Sequence, residues 1–347
     1  MAQPPGSLPP RTCARPTEGI WPSSTRRVRS RPWSRTMAGG SESVFWQRAL
    51  EFFAMQYDFA LYALVAAVLV GAICGLVGTF MVLRGMSLVG DAAGHATLPG
   101  VGVAFLLTGT KSAPALLLGA MASAVLGAMT ITWLSRGPKV RPEAAIGIVL
   151  STFFGLGIVL LSYIQTSPTG QQSGLSDYLF GNAAAVTPAQ IWVVGGAGLL
   201  LSMLVVVFYR PLSLMVFDER FARSIGLPTQ WLELGLMSAL AVAVVLSIQA
   251  VGVILVAAML IIPPSAARLI SGRLVGVMVG AMVIGALSGA LGAMLSYIYE
   301  GVSTGPAMVL VAVTIFGFAL VFGPVGGALP SAIRRVRARS LAAGGAL

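Results

Sequence analysis

FMVLRGMSLVGDAAGHATLPGVGVAFLL, residues Phe80 to Leu107, decides how the rest of the chain is read. The run is apolar enough to lie in lipid, yet it carries Asp91 and His95 four residues apart. Residues four apart on a helix share a face, one turn above the other. The pair can therefore offer a carboxylate oxygen and an imidazole nitrogen to one ion. That donor set suits zinc or manganese, with no thiolate to favour softer ions. His95 is the only histidine among 347 residues. With Arg84 as an interface marker and about 1.5 Å of rise per residue, His95 falls roughly 16 Å into a hydrocarbon core of ~30 Å. A charged Asp at such depth costs about 2.5–3.5 kcal/mol, so residues of this kind face a cavity and mark an ion path. Pro99 has no N–H for the carbonyl of His95, which predicts a bend and a free backbone oxygen there. The competing role for the pair is a plain hydrogen bond that glues helices together.

Composition sets the class. Hydrophobic residues make up 56% of the chain and charged ones 10%, whereas soluble domains carry about 25% charged residues. Mean hydropathy is +0.88. These values describe an all-α polytopic integral membrane protein. The net charge of +11 is not a nucleic-acid footprint, because residues 1–36 hold seven arginines against one acid and the remainder lies mostly between apolar runs. Cys13 and Cys74 cannot form a disulfide framework. Small residues four apart at Gly71/Gly75, Gly276/Gly280 and Gly285/Gly289 offer surfaces for close helix packing.

Residues 1–36, rich in Pro, Arg and Ser, read as a disordered basic extension, with Met37 as the expected true start. Residues 37–58 read as an interfacial amphipathic segment. Apolar runs near 59–83, 87–108, 113–134, 143–164, 189–209, 230–247, 249–267, 274–298 and 305–322 follow, so 59–322 forms the transmembrane domain and 323–347 a basic cytoplasmic tail. These are nine spans, or eight if the break near Ser247–Gln249 is a kink. Lys and Arg assign sides. Arg136, Lys139 and Arg141 form one inside loop, Arg210, Arg220 and Arg223 another, and Arg268 and Arg273 a third. Segments 165–188 and 299–304 lack Lys and Arg and face outward. The N-terminus is then outside and the C-terminus inside.

The inside loop 209–230 places Phe217, Phe221 and Ile225 at i, i+4 and i+8, which predicts a short amphipathic helix closed by Gly226 and Pro228. Such a helix lies on headgroups or docks into a partner's groove. Glu143 and Glu233 read as acids offsetting helix dipoles. Pro263 and Pro264 predict a kink in their span.

These stretches together resemble the membrane permease subunits of zinc/manganese-type ABC importers. VLRGMSLVGDAAGHATLPGVGVAFLL follows that family's pattern, with Asp91, His95 and Pro99 in place and Gly85 where an arginine is usual. SGLSDYLFG (173–181), FDERFARSIGLP (217–228), SIQAVGVILVAAMLIIPPSAARLI (247–270) and SYIYEGVSTGPAMVLVA (296–312) are similar too. The resemblance covers most of residues 45–325 and implies a type II ABC importer-like permease of a bacterial cytoplasmic membrane. It implies zinc or manganese as cargo, with iron as a further option, and no permanently bound cofactor. It implies Asp91 and His95 as the transmembrane metal site. Phe217, Asp218, Phe221, Ala222 and Gly226 become the coupling helix that meets the ATPase. Asp177, Tyr178, Phe180 and Gly181 become part of the outer gate. The implied partners are a cytosolic ATPase dimer, an extracytoplasmic metal-binding receptor and a second permease copy.

The chain itself has no G-x-x-x-x-G-K-[ST]; GTKSAP at 109–114 lacks the glycine spacing, so any ATP must be bound by another chain. The chain is read as a transport pathway rather than an enzyme. A zinc protease would need a second histidine. The G-x-S-x-G string GVSTG at 301–305 lies between two apolar helical runs rather than between a strand and a helix, so it is not read as a nucleophile elbow. The alternatives are an ion-coupled secondary transporter, with Asp91 and His95 as a proton relay, or a permease for a metal chelate.

Overall fold

Glycines at helical spacing within apolar runs let backbones approach one another, and the packing is built on them. The computed structural model describes residues 58–109, 112–135, 140–166, 188–299 and 302–330. Among these residues there are eleven helices and no strand. They are α1 (Asp58–Leu83), α2 (Val89–Thr108), α3 (Ala113–Ser135), α4 (Pro142–Thr166), α5 (Pro188–Val207), α6 (Tyr209–Phe217), α7 (Glu219–Ser224), α8 (Thr229–Val251), α9 (Val253–Ile270), α10 (Leu274–Ile298) and α11 (Thr304–Phe322). The nine expected spans correspond to α1–α5 and α8–α11. Seven of them are long and apolar enough to cross a membrane: α1, α3, α4, α5, α8, α10 and α11. In α2 the glycines, Asp91 and His95 dilute the apolar content, and α9 is apolar from Val253 to Ile262 before its two prolines.

The seam between α1 and α10 explains two of the three small-residue pairs. A Cβ on Gly71 would stand 2.1 Å from the Gly285 carbonyl oxygen, and one on Gly285 equally close to that of Gly71. Gly75 faces Ala281 and Gly289 faces Ala67 in the same way, so the helices run antiparallel with backbones touching. Gly276 and Gly280 do otherwise: Gly276 lies against Ser271 at its own helix start, and Gly280 against the Ala267 methyl. A second seam joins α2 to α3, where Gly100 and Gly119 abut.

The break expected near Ser247–Gln249 lies instead at Gly252. The Ser247 hydroxyl donates to the Ala243 carbonyl at 2.6 Å, so a polar residue there is satisfied inside α8. Gly252 takes φ +90°, a conformation glycine adopts at least cost. From it α9 passes Gly94 with Val253 and Gly90 with Leu260. Pro99, Pro263 and Pro264 all lie inside uninterrupted helices. Pro264 has no N–H for the Leu260 carbonyl, and that oxygen presses on α1, where a Cβ on Gly78 would meet it at 2.0 Å. The first residues beyond α11 are held as well, because the amides of Val325 and Gly326 donate to the Leu269 carbonyl at 3.1 and 3.2 Å.

The basic extension, nearly all of the interfacial segment, the outer stretch with Asp177, Tyr178, Phe180 and Gly181, and the tail beyond residue 330 lie outside the described residues.

Candidate metal site and the basic end of the bundle

Three sides of α2 are occupied. Ala96, Gly100 and Ala104 meet α3, Leu98 and Pro99 meet Gly157 of α4 while Gly102 meets Leu160, and Gly90 and Gly94 meet α9. Asp91 and His95 lie on the side left over, next to Leu88, which is 54% exposed. Their side chains are 38% and 20% exposed. The His95 Nε2 and the Asp91 Oδ1 are 3.5 Å apart, too far for a good hydrogen bond. The edge-to-face contact with Phe154 of α4, at 4.9 Å between ring centroids, fixes the imidazole plane. The other ring nitrogen, Nδ1, is buried and has no hydrogen-bond partner among the described residues.

Depth differs from the sequence expectation. A turn over Arg84–Leu88 separates α1 from α2, so α2 begins only at Val89. His95 is then about 9 Å along its helix rather than roughly 16 Å. Asp91 stands in the first turn, where an acid also suits the positive helix end. Around Pro99 the backbone oxygens find hydroxyls: Thr97 donates to Gly94 and Ser123 to Ala96, both at 2.6 Å. Among the described residues no group of three or more His, Cys, Asp or Glu could hold a metal. One chain thus supplies two candidate ligands.

The FDERFARSIGLP stretch forms a turn, a short helix and a turn. Asp218 caps α7, its carboxylate accepting from the Phe221 amide at 2.9 Å. Gly226 closes it at φ +83°, with the Leu227 amide returning to the Ala222 carbonyl at 3.1 Å. Ala222 is buried, while Phe217, Phe221 and Ile225 are 67%, 51% and 55% exposed. The single helix expected for these three residues is broken at Asp218: Phe217 ends α6, Phe221 lies on α7 and Ile225 follows it, and each of the three is exposed.

Glu219 is the first residue of α7. It pairs with Arg223 one turn on and lies 3.7 Å from Arg84. Arg84 is only 11% exposed and its Nη1 is 3.2 Å from Glu233 of α8. Arg84, Glu143, Glu219, Arg223 and Glu233 line a cavity of about 640 Å³ with Thr132 and Ser135. This cluster was not foreseen. Arg84 served only to mark the interface, and Glu233 was read as a dipole partner although it falls beyond the first turn of α8. The available signal was a lone arginine between two apolar runs. The cavity gathers the ends of α1, α3 and α6 and the starts of α4 and α8, all assigned by charge to one side.

The model of the ABC 3 transport family matches residues 56–323. The manganese transport system membrane protein MntC of Bacillus subtilis is 43% identical over 286 residues, 82% of this chain and 66% of that protein. The zinc transport system membrane protein TroC of Treponema pallidum is 39% identical over 281 residues, 81% and 94% of the two chains. Among solved structures, PsaBC from Streptococcus pneumoniae in complex with Fab superposes with a TM-score of 0.70 at 33% identity, covering 80% of this chain and 97% of that one. All eleven described helices fall inside the matched region, and the chain belongs to the ABC 3 transport family.

Proposed function

We propose that this chain is the membrane permease subunit of an ATP-driven importer of divalent metal ions, zinc or manganese, in a bacterial cytoplasmic membrane. The observation that carries the reading is the Asp91–His95 pair, half open on one side of α2, in a family whose relatives are named for manganese and zinc transport. Two copies facing one another supply two carboxylates and two imidazoles, a four-ligand set that suits zinc. An ion held between the copies is then exposed to either side as the helices tilt.

An ion on Nε2 of His95 forces the ring proton onto Nδ1, which no acceptor among the described residues meets. Metal-binding histidines normally donate that proton to a partner, which water or the second copy would supply.

Exposed Phe217, Phe221 and Ile225 are what a cytosolic ATPase would cover, and Asp218 and Gly226 bound the short helix that carries Phe221. A transporter driven by an ion gradient needs no such surface. On the outer side a receptor protein delivers the ion, and the segment with Asp177, Tyr178, Phe180 and Gly181 closes behind it.

The test is uptake of zinc, manganese and iron in cells lacking their own importer, supplied with this chain, its ATPase and its receptor. Asp91→Ala and His95→Ala should abolish uptake at unchanged membrane levels. Normal uptake by His95→Ala would overturn the site.

A further inference from the structure

Arg84 occupies a position that the metal site and the docking face do not by themselves explain. It is a largely buried basic residue, its side chain 11% exposed, at the turn from α1 into α2, and it faces acids from two other elements: Glu219 of α7 at 3.7 Å and Glu233 of α8 at 3.2 Å. Burying a guanidinium is costly, and a buried ion pair often adds little or nothing to stability over an apolar substitute. Neither contact is tight. The Nη1 of Arg84 makes no aligned hydrogen bond despite its distance to Glu233, and Glu219 is shared with the exposed Arg223. The carboxylate on α7 thus stands between two guanidinium groups, one inside and one outside.

The link from Arg84 onward is stiff. The Gly85 amide donates to Val82 at 3.2 Å, that of Met86 to Met81 at 3.1 Å and that of Val89 to Met86 at 3.2 Å. Gly85 at φ +70° closes α1, Met86 packs on the core, and α2 begins three residues later with Asp91 in its first turn. A displacement of Arg84 is therefore passed to the start of α2 with no slack chain between.

Resting on the importer reading above, we propose that Arg84 is a positioning residue that carries movement of α7 to the metal-bearing helix, by way of Glu219. When the ATPase shifts α7, Glu219 changes its hold on Arg84, and the α1–α2 turn follows with Asp91 and His95. Glu233 keeps the guanidinium in place during the exchange.

The experiment reconstitutes the full complex, with its ATPase and receptor, in liposomes, and records zinc or manganese uptake and ATP hydrolysis side by side. No ATP-dependent uptake by the wild type would remove the importer reading and this assignment with it. Given wild-type transport, Arg84→Met should still assemble and hydrolyse ATP, with ions moved per ATP reduced at least about tenfold, the scale of a typical coupling between sites. Arg84→Lys should recover part of the ratio, and Glu219→Gln should lower it. The double variant Arg84→Met/Glu219→Gln should be no worse than the poorer single one, because both remove one contact. If Arg84→Met does not assemble, Arg84→Lys and Glu219→Gln carry the same test. An unchanged ratio, a proportional fall of hydrolysis and uptake, or additive losses in the double variant would each overturn the assignment.

Discussion

Gly85 shows how one residue sets the geometry of the site. With φ +70° and nothing within 4 Å of a built Cβ, its cost to other residues is conformational rather than steric. Gly85→Arg, which restores the residue usual in the family, should lower stability by about 1 kcal/mol and no more, measured as thermal unfolding in detergent. Asp91→Asn tests the ligand charge with shape preserved. Its uptake should drop by more than about tenfold, the lower limit being what loss of a mere outer partner of a metal ligand costs. Asp91 and His95 stand out as candidate ligands in the sequence because their chemistry and spacing are local and jar with lipid. Arg84 does not stand out, because its partners Glu219 and Glu233 come from distant parts of the chain and only folding gathers them.

Helix pairs separate glycines that packing requires from those it leaves free. Gly285→Ala drives a methyl into the Gly71 carbonyl, and should cost about 1–3 kcal/mol as overpacked sites do. Gly147→Ala on α4 meets nothing within 4 Å, and should stabilise by up to about 1 kcal/mol through helix propensity. Unfolding temperatures of the two variants, moving in opposite directions, check both. On α7, Phe221→Glu places a charge at an exposed apolar position. It should abolish co-purification of the ATPase while leaving the permease folded, as judged by its elution profile. The sequence signalled exposed apolar residues at Phe217, Phe221 and Ile225, though not the break at Asp218 that leaves Phe217 on α6. It did not announce which glycine pairs would touch, because a small-residue motif needs another helix at the same depth, and Gly276 finds only Ser271.

The order of the helices was readable from apolar length and from the positions of Lys and Arg. The reversal between α8 and α9 was misplaced onto polar Ser247 because a buried hydroxyl satisfied within its own helix looks, in sequence, like a break. With two candidate ligands per chain, the proposed site predicts that the purified zinc-loaded permease holds one ion per two chains and that His95→Ala holds none, as counted by elemental analysis against protein mass.

The antiparallel contact of α1 with α10 has a practical corollary. Helices whose main chains already touch over Ala67–Gly75 and Ala281–Gly289 have no gap to close and no side chains to slide on. Spin labels on the lipid-facing surfaces of this pair should keep a constant separation throughout turnover, and the amides of the pair should be among the slowest to exchange with deuterium. The two helices are thus a fixed ruler within the transporter, and label distances from α2, α4 or α7 to it would read each step of the cycle directly.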